Sequence, residues 1–394
     1  MRVMATGGGT GGHVYPALSV IEVLTEDGRW GTRREDVVWV GSSGGMEEQI
    51  VRRAGIRFEA VPTGALLGAG LVTVMKNSLS VQRGVKQARE LIKQFRPQVV
   101  LATGGYVSAP LVLAARRSCP VLIYLPDMHP GLAVRHLGRY ARRIAVSFEA
   151  VARYFPAEKV VVSGYPVRKA LHRADKRVSR LALGLGSGQS FGASAGPAMG
   201  GWTLGSQPST APEERVLLVL GGSRGAHSIN EAVRQALPEL LALTHVFHIS
   251  GTEDFAALRA VGDALPVTLR SRYHLYAYVY EQMTDLLAAA DLVVARAGAA
   301  TLGEFPAVGL PSILVPYPYA GQHQELNAAY LREHGAARLV YDRDLETQFL
   351  SAVRELMGDA RQLDAMSAAA RSMAAPGAAE CIAGEMLRLA GTKD

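Results

Sequence analysis

Apolar residues fall in short, nearly unbroken runs separated by longer stretches of helical period. Val3 to Thr6, Val37 to Val40, Val99 to Ala102, Val121 to Leu125 and Ile144 to Ser147 are such runs, with helical patterns between most of them. The alternation restarts at Val216 to Leu220, Val246 to Ser250, Leu292 to Ala295, Ser312 to Val315 and Arg338 to Tyr341. Strands apolar on both faces, alternating with helices, describe a parallel sheet covered on both sides. The pattern predicts an α/β chain with two such sheets.

Between the two sets lies a segment from about Gly184 to Pro212, rich in Gly, Ser, Ala and Pro and nearly free of charge. It lacks the apolar surface to offset its ordering entropy and reads as a flexible insertion. The expected domains are 1–165 and 166–376, with a terminal helix from Ala378 to Leu389, after Pro376, expected to pack back on the first.

Each half opens on a glycine-rich turn. GGGTGGH follows the strand at Val3 and GGSRGAH follows the strand at Val216, each resuming as an amphipathic helix. Amides at a helix N-terminus converge there on one point, a geometry that holds phosphate. Two such units imply two Rossmann-like halves with a nucleotide cleft between them. Gly7, Gly9 and Gly12 also match the dinucleotide spacing, which raises a dehydrogenase as a rival. A dehydrogenase carries an acid at the end of its second strand for the ribose, yet VVWVG runs here into Ser42, Ser43 and Gly44.

Three further features carry candidate chemistry. His13 closes the first glycine loop at a helix start, where an imidazole can act as base on a hydroxyl; the plain alternative is a capping histidine. GGYVSAP at Gly104 is a third glycine turn, on the same carboxyl edge of the first sheet. In the second half Glu304 lies in a helix opened by small residues, followed by His323, Gln324 and Asn327. A carboxylate there can accept from a ribose diol, and amides read sugar hydroxyls in both senses; the plain alternative for Glu304 is a solvated helix position.

Composition narrows the setting. The 394 residues are 48% hydrophobic and 20% charged, an ordinary α/β balance with room for two cores. Only Cys119 and Cys381 are present, which argues against a disulfide framework and predicts two buried thiols. No apolar run reaches membrane-spanning length, Asp291 and Arg296 interrupting the best candidate near Leu286, and no export signal opens the chain, so the expected compartment is the cytoplasm.

The net charge of +7 calls for an anionic partner. It is densest from Lys76 to Arg96, where Arg83, Lys86, Arg89 and Lys93 face the single acid Glu90, beside a helical stripe of Val81, Val85, Ala88, Ile92 and Phe95. Just upstream, Leu66, Leu67, Leu71 and Met75 stand in a glycine-punctuated segment read as a loop. Apolar loop residues beside a basic helix can dip into an anionic membrane surface. The bland alternative is a solvated helix face. No nucleic-acid motif accompanies the charge, so nucleic acid is not expected as a partner.

Five blocks in order, GGGTGGHVYPALSV, GGYVSAP, SGYPVR, GGSRGAHSIN and RAGAATLGEFPAVGLPSILVPYPYAGQHQELNAAYL, give the whole chain a resemblance to the MurG family, the peptidoglycan N-acetylglucosaminyltransferases of glycosyltransferase family 28. The resemblance implies a GT-B fold, two Rossmann-like parallel-sheet domains facing across a cleft. It implies inverting transfer of GlcNAc from UDP-GlcNAc to the C4 hydroxyl of MurNAc in undecaprenyl-pyrophosphoryl-MurNAc-pentapeptide, turning lipid I into lipid II. The implied partners are UDP-GlcNAc, lipid I, the anionic cytoplasmic face of the membrane and other cell-wall synthesis proteins, with the enzyme bound peripherally through Leu66, Leu67, Leu71, Met75, Lys76, Arg83 and Lys86.

Carried over by position, His13 is the implied base and Thr10 lies beside it on the acceptor side. Gly104 and Tyr106 line the acceptor pocket. Thr10, Gly11 and Gly12 also reach toward the donor, together with Arg168, Gly222 and Ser223 at its phosphates. Glu304 falls to the ribose, with Gln324 and Asn327 reading the GlcNAc and His323 beside them. Helix N-termini and Arg168 neutralise the departing UDP without metal, so no cofactor and no essential metal are expected. Asp342 and Asp344, the nearest thing to a metal-binding DxD, read as a capping pair before a helix.

The chain departs from the family pattern at several cleft positions. LPDMHPGL puts Leu125 at the family's Glu and Asp127 at its Asn, which makes Asp127 a second candidate base. Tyr165, Arg224 and Ala297 also differ from the family's residues. The alternatives are another GT-B enzyme, such as a lipid glycosyltransferase or a UDP-GlcNAc 2-epimerase, or a non-catalytic nucleotide-binding protein.

Overall fold

A computed structural model describes residues 1–26, 28, 30–64, 71–185, 201–202, 215–222, 225–318 and 323–391, without the side chains of 71–77 and 201–202. The expectations for Leu66, Leu67, Ser223 and Arg224, and for nearly all of the Gly/Ser-rich insertion, lie outside the described residues. Two compact units emerge, Met1–Arg168 with Ala375–Asp394, and Lys169–Ala374.

The first unit is built on seven parallel strands: β1 (Val3–Thr6), β2 (Val37–Gly41), β3 (Arg57–Ala60), β4 (Val99–Ala102), β5 (Val121–Leu125), β6 (Arg143–Val146) and β7 (Val160–Val162), in the order β3-β2-β1-β4-β5-β6-β7. The central strands are buried on both faces, which is why they read as unbroken apolar runs. β3 escapes the apolar pattern as a short edge strand with Arg57 exposed, and β7, the other edge, is a run of only three valines with Val162 exposed.

The second unit repeats the plan with β8 (Gly201–Trp202), β9 (Val216–Leu220), β10 (His245–Ile249), β11 (Tyr273–Tyr276), β12 (Leu292–Ala295), β13 (Ser312–Leu314) and β14 (Ala337–Leu339), in the order β14-β13-β12-β9-β10-β11-β8. β8 alone runs antiparallel, against β11. β11 reads YHLY, and its buried Tyr273 and His274 hide a strand that a search for aliphatic runs passes over.

In each sheet the order reverses beside the unit's first parallel strand: β1 lies between β2 and β4, and β9 between β10 and β12. Loops leaving neighbouring strands there diverge to opposite faces and open a crevice at the carboxyl edge, the usual place for a ligand in such sheets. The glycine turns after β1 and β4 therefore meet in the first unit. The loops after β9 and β12 meet in the second.

The terminal helix, Ala378–Gly391, is part of the first unit's core. Its Ile382, Ala383 and Met386 pack in one cluster with Val14, Ala17, Ile21 and Leu24 of the helix Gly11–Thr25. Gly164 permits the crossing: its φ is +81°, and a Cβ there would stand 2.3 Å from the Cβ of Ala375.

Two expectations are corrected here. Leu71 and Met75 belong to a helix, Leu71–Phe95, rather than to a loop; the apolar residues there begin the helix whose buried stripe, Val81, Ala88 and Ile92, holds it to the unit. Arg83 and Lys86 are exposed on its other faces. Of the two thiols only Cys119 is buried, and burial pushes its pKa up to about 12, while Cys381 is half-buried. Among the described residues no helix is long and apolar enough to cross a membrane.

Candidate active site

In the first unit β1 ends at Thr6, residues 7–10 form the glycine loop, and the helix Gly11–Thr25 begins. The turn after β4 is pressed onto this loop. Gly104 and Gly105 have φ of +103° and +78°, and a Cβ on Gly105 would stand 2.6 Å from the carbonyl oxygen of Gly8. Gly104 lies against the imidazole: its Cβ would meet His13 Cδ2 at 3.2 Å and Nε2 at 3.3 Å. Only glycine satisfies both the positive φ and the contact.

His13 is held on both sides. Its Nδ1 is 3.0 Å from Thr10 Oγ1, and its Nε2 is 3.9 Å from Asp127 Oδ2. Both side chains of the His13–Asp127 pair remain about one-fifth exposed, 21% and 19%, so the pair is sheltered yet reachable. Tyr106, 44% exposed, stands beside Gly9, whose Cβ would lie 4.0 Å from its ring. Thr10, His13, Gly104, Tyr106 and Asp127 thus gather at one crevice, drawn from three loops. The hydroxyl of Thr103 bonds the carbonyl of His13 from beneath.

The departures at Leu125 and Tyr165 are packing features. Leu125, 1% exposed, ends β5 with its side chain in the core, so the carboxylate expected by family pattern has no counterpart there. Tyr165, 4% exposed, donates its hydroxyl to the carbonyl of Gly12 at 3.4 Å and meets Tyr124 edge to face, supporting the glycine loop from below. Burial raises the Tyr124 phenol well above its ordinary pKa, and its oxygen lies 2.7 Å from Ser147 Oγ. Arg168 is the last residue of this unit before the chain crosses to the second, with its guanidinium 5.3 Å from the ring centre of Tyr15.

In the second unit Gly221 and Gly222 follow β9, and the helix His227–Leu243 begins after Gly225. A Cβ on Gly225 would lie 2.7 Å from the carbonyl oxygen of Ser250, so this turn too is packed backbone to backbone. Glu304 lies half-buried on the helix Thr301–Val308, which starts after the small residues that follow β12. Gln324 turns its Oε1 to accept the amide of Tyr317 at 3.0 Å, and His323 is the first residue of the same helix, His323–Glu333. Asn327 is fully buried and donates to the carbonyl of Ala297 at 3.1 Å, so in this structure it fixes the helix against the loop after β12. Ala297 is equally buried, which accounts for a methyl at that position.

The sequence reading missed an ionic core to this half. Arg296, at the end of β12, pairs with Asp342 and donates to Ser228 Oγ at 2.7 Å, and Ser228 donates to Asp342 at 2.8 Å. The network joins the first turn of the helix after the glycine loop to the loops after β12 and β14. The capping expectation for Asp342 and Asp344 is corrected by it: Asp342 is spent on Arg296 and Ser228, and Asp344, at the N-cap of the helix Leu345–Gly358, accepts no cap bond. No local pattern signals it, because the partners are 46 and 68 residues from Arg296.

Behind the second glycine loop runs a polar chain. His227 meets Asp254 at 2.9 Å, Asp254 accepts from Asn230 at 2.7 Å, and Asn230 meets the buried His248 at 2.9 Å. The hydrogen bond to Asp254 raises the pKa of His227, whereas burial drives that of His248 down to about 3. His248 is therefore neutral at every working pH.

Comparison with known proteins assigns the whole chain. Residues 3–146 match the glycosyltransferase family 28 N-terminal domain and residues 216–382 its C-terminal domain. A Desulforudis audaxviator protein named as UDP-N-acetylglucosamine--N-acetylmuramyl-(pentapeptide) pyrophosphoryl-undecaprenol N-acetylglucosamine transferase is 39% identical over 403 residues, covering 99% of both chains. A Roseiflexus protein of the same name is 38% identical over 97% of this chain and 94% of its own. The crystal structure of Acinetobacter baumannii MurG superposes with a TM-score of 0.68 at 25% identity, covering 98% of this chain and 99% of that one. With two parallel-sheet Rossmann-like units, both domain models in order and relatives aligned over nearly their full length, the chain belongs to glycosyltransferase family 28, among its N-acetylmuramyl-(pentapeptide) pyrophosphoryl-undecaprenol N-acetylglucosamine transferases.

Proposed function

We propose that this protein transfers GlcNAc from UDP-GlcNAc to the C4 hydroxyl of MurNAc in undecaprenyl-pyrophosphoryl-MurNAc-pentapeptide, making lipid II from lipid I with inversion at the anomeric carbon. The observation that carries the reading is 38% and 39% identity, over nearly the full length, to transferases of that name. The sheltered His13–Asp127 pair supports it, offering a proton acceptor at the carboxyl edge of the first sheet. In this reading the acceptor hydroxyl gives its proton to that pair as it attacks the anomeric carbon, and Thr10 and Gly104 hold the imidazole in place. Tyr106 lies beside the acceptor sugar.

The second unit takes the donor. Glu304 accepts from the ribose diol, Gln324 reads the GlcNAc, and the amides at Gly222 and the following helix start receive the diphosphate. Arg168 adds positive charge at the same phosphates. Charge on the departing UDP is met by these groups, and we propose that no metal is needed. The exposed cations Arg83 and Lys86 place the enzyme on the anionic cytoplasmic surface of the membrane, where its lipid substrate resides.

The test is release of UDP from UDP-GlcNAc by purified protein, with and without a short-chain lipid I analogue, in the presence of EDTA. Release that requires the analogue and survives EDTA is the expected result. No release with the analogue overturns the acceptor assignment, and release abolished by EDTA overturns metal independence.

A further inference from the structure

One carboxylate in the first unit is buried among glycines and has no part in the scheme above. Glu47 lies in the first turn of the helix Met46–Arg53 and is 1% exposed. Its Oε2 accepts the amide of Gly9 at 3.4 Å, and its Oε1 accepts the amide of Ser42 at 3.1 Å and the Ser42 hydroxyl. Among the described residues it makes no ion pair.

Three glycines leave the room it occupies. A Cβ on Gly8 would stand 2.6 Å from Glu47 Cδ, one on Gly45 2.4 Å from Oε1, and one on Gly41 3.2 Å from Cγ. Gly8 is thereby held between the carboxylate on one side and Gly105 on the other. A buried charge carries a large desolvation cost and persists only where its hydrogen bonds are satisfied. Here they are met by two amides and a hydroxyl from two separate loops.

We infer that Glu47 is a positioning residue for the transfer reaction: it ties the glycine loop at Gly9 to the loop after β2 at Ser42 and so sets Thr10 and His13 where the acceptor needs them. The path is short and covalent, since Thr10 follows Gly9 directly and its hydroxyl lies 3.0 Å from His13 Nδ1. The Gly9 amide, donated to a carboxylate, is also withdrawn from any phosphate. The loop then serves as a shaped support for the imidazole. This inference rests on the proposed function, because it assigns the loop to the acceptor.

Glu47→Gln is the discriminating variant. The amide keeps shape and can still accept from Ser42 through its oxygen, but its NH2 then faces the Gly9 amide, donor against donor, and the tie is lost. The expected result is a fall in kcat of at least tenfold and a rise in KM for a short-chain lipid I analogue. KM for UDP-GlcNAc should stay within twofold, because Glu304, Gln324 and the turn at Gly222 sit in the second unit. In a His13→Ala background Glu47→Gln should cost less than twofold more, since both act through one imidazole. A lowered Tm with kcat and acceptor KM per folded enzyme unchanged overturns the inference, as does an equal loss in the two KM values or full additivity with His13→Ala. Should Glu47→Gln fail to fold, Ser42→Ala removes one donor from the carboxylate and should show the same split in smaller measure; an unchanged kcat there overturns the inference. Wild-type protein that does not turn over the analogue fails the proposed function instead, with no bearing on the tie.

Discussion

His13 Nε2 stands 3.9 Å from Asp127 Oδ2, joining a residue of the first glycine loop to one that follows β5, 114 positions later in the chain. The same imidazole meets Thr10 Oγ1 through Nδ1. A carboxylate at that range favours a proton on Nε2, and the threonine hydroxyl can accept from or donate to the other nitrogen. The two side chains face one another at the crevice, and the proposed base at the acceptor hydroxyl draws on both.

Coupling of that kind predicts unequal pH profiles. His13→Ala should lower kcat by 10²-fold or more, the ordinary worth of a positioned base, and flatten its acid limb. Asp127→Asn should lower kcat less and keep the acid limb, because the imidazole remains and loses only the carboxylate beside it. Profiles of kcat against pH for the two variants decide the matter. Wild-type rates in both would remove the pair from catalysis.

For the donor, Glu304→Ala should raise KM for UDP-GlcNAc at least tenfold, about 1.4 kcal/mol of binding, with little effect on the acceptor KM. Steady-state kinetics varying each substrate in turn gives the answer. An unchanged donor KM would free Glu304 from the ribose.

Acid should unfold the second unit steeply. Burial lowers His248 and His274 to about 3, so both are neutral when folded and protonate on unfolding anywhere below about pH 6. The unfolded state then binds more protons, and stability falls as pH falls from about 6 toward 4, by about 1.4 kcal/mol per pH unit for each histidine. Denaturant titrations at several pH values measure the slope. His274→Phe, placed beside Phe247 on which His274 already stacks at 4.2 Å, should flatten it by about one proton.

Charge reversal on the helix Leu71–Phe95 tests the membrane proposal. Arg83→Glu with Lys86→Glu should weaken binding to vesicles containing anionic lipid by about 1 kcal/mol or more per residue, and added salt should erase the difference. Turnover of a soluble acceptor analogue should be untouched. Binding that ignores the reversal would place the membrane contact elsewhere.

Pattern along the chain is enough for the two sheets, their parallel sense, the three glycine turns and most of the residues gathered around them. Periodicity and glycine spacing are local, and a strand buried on both faces leaves an apolar run that is read directly: β1, β4, β5, β9 and β12 fall where the pattern puts them. Edge strands such as β3 and the tyrosine-histidine strand β11 leave no such run. The contacts between distant segments come from the folded arrangement: Asp127 against His13, Arg296 on Asp342, and Glu47 beneath Gly8 and Gly9. Strand order brings these together at the points where the sheets reverse, and each is a pairing of charge or hydrogen bond across tens of residues. No spacing within one segment encodes such a pair, because its geometry exists only once the strands between have taken their places.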